Sequence, residues 1–156
     1  SMSRWIALIA LLLSACATET ASSTETPAAV WLAPDHPLYE AQKAWGMPLP
    51  SVPEVVLDFG TREQVGIACG HPGSSPTGCT MLDGKTLLFA AGETPARLAV
   101  SMLHEMGHLL AGPERGHIED AEHCPGDARG EFIMCTYSNL TPELTDADFA
   151  FVLSAR

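Results

Sequence analysis

The sequence predicts a small α+β domain: a twisted sheet, then a long buried helix, then a short C-terminal helix. Three observations predict it. Runs of β-forming residues come first, at 54–59 and on either side of Asp83-Gly84, a pair that favours a hairpin. A helix then begins at Thr94-Pro95, an N-cap followed by proline in the first turn, and ends at Gly112-Pro113. Strands thus precede this long helix, which gives an α+β order and leaves one face of the sheet to the helix.

Taken in order, the chain opens with Ser1 ahead of Met2, and Ser1 reads as an addition before the initiator. Arg4 precedes an apolar run at 5–13 that is too short to span a bilayer, so residues 1–16 read as an export signal. Residues 17–29 are Ala, Thr, Glu and Ser with one Pro, without apolar periodicity, and read as a flexible tether. Residues 30–156 are then expected to form the one domain. A helix is expected from Asp35-His36-Pro37 to Gly46 on the spacing of Leu38, Ala41, Ala44 and Trp45, and a proline-rich loop over 47–53. A strand over 54–59 closes at Gly60, and a second short strand is expected at 65–69. Residues 70–78 form a loop that contains His71, residues 79–82 and 85–90 pair as the hairpin, and residues 141–153 form the terminal helix. His36 and His71 read as surface or loop histidines.

A formal net charge of −11 disfavours nucleic acid and anionic lipid headgroups as partners. Cys69, Cys79, Cys124 and Cys135 form an even set, and an exported domain would pair them. Proximity favours Cys69–Cys79 and Cys124–Cys135, and two other pairings stay open. Leu13-Ser14-Ala15-Cys16 resembles the lipobox of bacterial lipoproteins. That resemblance implies a lipid on Cys16 as the sole membrane contact, an exported protein anchored in the bacterial envelope, and, with Ala17 next, outer-membrane sorting. A monomer is expected.

The helix over 95–111 carries His104, Glu105 and His108 among apolar neighbours. Histidines four apart stack on one face and can aim at a single ion. Glu105 stays outside the ion's coordination yet near enough to act as a general base on a water beside it. Burying three ionisable groups without a partner is costly, so a Zn²⁺ site is the economical reading, and amide hydrolysis is the reaction it implies.

His-Glu-x-x-His followed by a later histidine and then Met134 resembles the metzincin metallopeptidases, in particular their matrixin-like members, here in bacterial lipoprotein form. The resemblance covers about residue 55 to the C-terminus and implies a third zinc-binding histidine and a Met-turn, with Met134 beneath the metal. This chain departs from the family spacing: the strict third position is Glu114, whereas the next histidine is His117, nine residues after His108, and the glycine is Gly112 instead of residue 111. The preferred ligand set is His104, His108 and His117, with Glu114, His123, Glu119 and Glu122 as competitors. Tyr137 follows Met134 by three residues, and a hydrogen bond from it to an oxyanion is a further expectation. The expected function is that of a zinc endopeptidase acting on a protein or peptide that lies along residues 86–89. A metal-binding lipoprotein that does not turn over is the alternative, and a non-protein amide such as one in the cell wall is a third possibility.

Overall fold

The computed structural model describes residues 28–50, 54–73 and 76–156. The expected export signal with Cys16, and the tether apart from its last two residues, lie outside the described residues. Among those described, no helix is long and apolar enough to cross a membrane.

The elements run α1 (Tyr39–Trp45), β1 (Val56–Gly60), α2 (Arg62–Ala68), β2 (Gly78–Thr80), β3 (Thr86–Ala90), α3 (Pro95–Ala111) and α4 (Asp146–Leu153). This is a mixed α+β arrangement in which one three-stranded sheet is ordered β1-β3-β2, with β1 parallel and β2 antiparallel to β3. The β2–β3 hairpin forms around Asp83, whose Oδ1 accepts the Lys85 and Thr86 N–H groups at 3.0 and 2.8 Å. Its turn is wider than a two-residue connection, closing with Met81 N–H on Thr86 O at 2.8 Å.

Three expectations are corrected. Residues 65–69 do not form a strand, because Thr61 and Gln64 make a capping box that starts α2. Two satisfied end groups there outweigh the β-branched preference of Val65 and Ile67. Residues 86–89 cannot receive a substrate strand, because β3 is central and both its edges are already paired. The free edge beside α3 belongs to β2. The terminal helix also starts later than Thr141-Pro142, at Asp146, where Thr145 and Asp148 form a second capping box.

The core lies between the sheet, α1, α3 and α4. Trp45 on α1 is 1% exposed, donates its indole N–H to Leu103 O at 2.9 Å, and meets Phe149 of α4 edge-on with centroids 5.4 Å apart. Leu103, Met106, Leu109 and Leu110 of α3 are buried against them. At about 1.5–3 kcal/mol for each such side chain, this packing, more than intrinsic propensity, holds α3 in place.

Candidate metal centre

Because α3 is buried on most of its circumference, its polar residues face inward, and His104 and His108 are each 8% exposed. The helix ends where Gly112 takes φ +102°, a conformation that only glycine adopts readily, and the chain turns back towards its own last turn. That turn returns His117 to the helix, and the Ile118 N–H, donating to Met134 O at 3.0 Å, fixes the strand of chain that carries it.

The three Nε2 atoms form a triangle with His104–His108 and His104–His117 edges of 3.2 Å and a His108–His117 edge of 3.4 Å. A tetrahedral ion about 2.0–2.1 Å from each nitrogen would require edges of about 3.3–3.4 Å. These three residues could therefore hold a metal ion, and they are the sole group of three His, Cys, Asp or Glu donors converging within 4.8 Å among the described residues.

Tautomers strengthen the fit. His104 Nδ1 lies 2.6 Å from Ile133 O and His108 Nδ1 lies 3.1 Å from Arg115 O. A carbonyl only accepts, so both Nδ1 atoms carry the proton and both Nε2 atoms present bare lone pairs to one another. Two lone pairs facing across 3.2 Å repel unless a cation lies between them. Burial, helped by the neighbouring imidazoles, lowers His108 to about 3 and His117 to about 4; His104 is lowered by burial too, against the pull of the Ile133 carbonyl. All three rings are neutral at pH 7, the form a metal needs.

A pH dependence follows for the metal-free protein. Below the ordinary histidine value of 6.5 the unfolded chain takes up protons that the folded triad refuses, so stability present above pH 6.5 is lost as the pH falls towards about 4 and then 3. Glu105 acts with the opposite sign between 4.5 and about 7, but it is one group against three. Urea unfolding followed by tryptophan fluorescence should show a lower midpoint at pH 5 than at pH 7. An unchanged or higher midpoint would mean that the rings are not held neutral.

Met134 is fully buried against α3, and its sulfur sits where a Cβ on Gly107 would fall; Trp45 closes the same spot at 3.0 Å. Gly107 is thus small so that the methionine turn can reach the helix backbone. Asp148 Oδ1 accepts the Met134 N–H at 2.8 Å while its Oδ2 accepts the Thr145 N–H and hydroxyl, each at 2.9 Å, so the cap of α4 also anchors this turn. Cys124–Cys135 ties the turn to the segment after His117, and Cys69–Cys79 ties the end of α2 to β2. Both pairings are those that proximity favoured, and two disulfides fit an oxidising compartment.

Glu105 is 4% exposed, and Thr80 on β2 donates its hydroxyl to Glu105 Oε2 at 2.8 Å. Oε1 takes no protein hydrogen bond among the described residues. Burial, opposed by the Thr80 hydrogen bonds, pushes this carboxyl up to about 7. Glu105 and the three histidines open into a cleft of about 650 Å³ lined also by residues 77–80, Tyr137 and Leu140.

Of the competing ligands, Glu114, Glu119 and Glu122 are exposed and stand outside the triad. His123 pairs with Asp120 at 2.8 Å, which raises its pKa, and stacks on Phe132. Tyr137 is 51% exposed on the cleft rim, and His71 lines the same cleft. Thr80 and Ser138 were not foreseen. Ser138 donates its hydroxyl to Ile133 O at 2.7 Å and lies 2.9 Å from His104 Nδ1, steadying that ring. A lone Thr or Ser has no spacing pattern that would have revealed either role. Compared with protein-family models, with curated proteins and with solved structures, the chain matches none of them.

Proposed function

We propose that this chain is a zinc-dependent endopeptidase of metzincin-like fold, tethered to a bacterial envelope through a lipid on Cys16. The observation that carries the reading is a buried carboxylate placed next to three convergent neutral imidazoles and opening into a cleft. Strands, then the ligand-bearing helix, then a turn whose methionine packs on that helix at Gly107 support the metzincin likeness. Three imidazoles at tetrahedral spacing suit zinc, and a carboxylate beside them suits hydrolysis better than storage of an ion.

His104, His108 and His117 would hold the zinc, which when bound supplies Lewis acidity towards a scissile carbonyl and makes water a usable nucleophile near neutral pH. The chain's own residues do the rest. Glu105 Oε1 takes the proton from the attacking water, while Thr80 keeps Oε2 engaged and so fixes the carboxyl plane. The same carboxyl then delivers the proton to the departing amine. An extended peptide adds to the free edge of β2, next to Glu105, and is oriented by main-chain hydrogen bonds.

The reading is tested by loading the protein with zinc, measuring metal per chain by native mass spectrometry, and incubating it with a mixed-sequence peptide library. One zinc per chain and internal cleavage that a chelator abolishes are expected. One zinc per chain with no cleavage of any peptide would replace the peptidase by a metal-binding lipoprotein.

A further inference from the structure

The cleft is charged against the rest of the molecule. Four of the six arginines, Arg62, Arg97, Arg115 and Arg129, line it, whereas the chain as a whole carries −11 and the cleft's acidic lining is Glu105 and Glu114. Arg115 is otherwise engaged, donating to Ser154 Oγ at 2.9 Å and lying over the Phe151 ring, so it is set aside. Arg62 and Arg97 converge on one carboxylate: Arg62 Nη2 donates to Glu93 Oε1, and Arg97 Nη1 lies 3.8 Å from Oε2. The Glu93 side chain is 3% exposed, whereas those of Arg62 and Arg97 are 44% and 41% exposed, so the anion is buried and the two cations face outward. Two guanidiniums sharing one carboxylate leave one positive charge unmatched. Arg129 donates to the neutral Ser138 carbonyl at 3.0 Å and forms no ion pair among the described residues, which leaves a second.

Position converts this charge into a substrate register. Arg97 precedes His104 by seven residues on α3, two helical turns along the same face, so about 10 Å of helix rise separates the two backbones, and its guanidinium, drawn back to Glu93, lies farther still from the triad. An extended peptide advances about 3.3 Å per residue, so that distance corresponds to three residues or more. The acidic exterior opposes long polyanions, while the short basic lining attracts an isolated carboxylate within the cleft.

We propose that the cleft selects peptides with a carboxylate side chain three or more residues from the scissile bond, recognised by Arg97 and Arg62 with Arg129 adding to the field. This rests on the peptidase reading. Labelled decapeptides of one neutral background, with Glu, Gln or Lys stepped through each position, are titrated by fluorescence anisotropy onto zinc-loaded protein carrying Glu105→Gln. In parallel, the unlabelled set is digested with the zinc-loaded wild type. Glu peptides should bind about tenfold more tightly than their Gln partners at one register and more weakly still as Lys. The Glu advantage should shrink in 1 M salt, where screening acts over about 3 Å, and should vanish when Arg62→Gln and Arg97→Gln are added. Equal affinity for Glu, Gln and Lys peptides, or none for any of them, overturns the proposal. Wild-type cleavage of all three sets at one rate keeps the peptidase and removes the acidic preference, whereas Glu-selective binding without any wild-type cleavage does the reverse.

Discussion

Glu105→Gln should lower peptide hydrolysis by about 10²–10⁴-fold while one zinc per chain stays bound, the size expected when a positioned general acid–base is removed. The two properties separate because Glu105 is outside the triangle of Nε2 atoms, so its amide isostere leaves that triangle intact. The Thr80 hydroxyl can still donate to the glutamine carbonyl in place of Oε2, which keeps the side chain in the same plane. Folding of the metal-free variant should not suffer. The wild-type carboxyl is pushed up to about 7 by burial, so its ionisation above that pH opposes folding, and the uncharged amide removes the opposition. At pH 8 the metal-free variant should therefore unfold at an equal or higher urea concentration than the metal-free wild type. Hydrolysis that persists in the zinc-loaded variant would rule out this mechanism, and loss of zinc together with activity would make Glu105 a structural member of the site instead of its base.

What could be read from the residues alone was whatever local chemistry determines. The ends of α3 were legible because Thr94, Pro95 and Gly112 each satisfy or release particular backbone groups, and the ligand pair because four residues is a little over one helical turn. The third corner was legible only by ligand type. His117 lies three positions beyond the strict spacing, and the extra residues fall in the turn between Gly112 and Ile118, where a detour does not disturb α3. Strand order was the part that local pattern does not carry: β1, the hairpin and their approximate bounds were visible, but not that β3 lies in the middle. The run Leu87-Leu88-Phe89 held a clue, since Leu87 and Phe89 are fully buried and a central strand tends to be apolar without interruption. Val65 and Ile67 misled for a related reason, because a β-branched pair says less than the Thr61–Gln64 box that starts the helix in front of it.

His117→Ala should weaken zinc binding by at least about 10²–10³-fold, more than the 10–100-fold typical of losing a residue that merely supports a ligand. The triangle then loses the corner with edges of 3.2 and 3.4 Å, and an ion held by His104 and His108 alone must complete its coordination with water. Ser138→Ala supplies the comparison. It removes a hydroxyl that lies 2.9 Å from His104 Nδ1 but leaves the Ile133 carbonyl at 2.6 Å to hold the same tautomer, so a loss of about tenfold is expected. Glu114→Ala and His123→Ala should leave the affinity where it was, the first because its carboxylate is exposed outside the triad, the second because its ring is engaged with Asp120 and Phe132. Competition titration of zinc against a chromophoric chelator ranks the four variants in one experiment. If His117→Ala bound as tightly as the wild type while Glu114→Ala or His123→Ala did not, the ligand from the returning chain would be reassigned, and Gly112 would direct a different residue onto the metal.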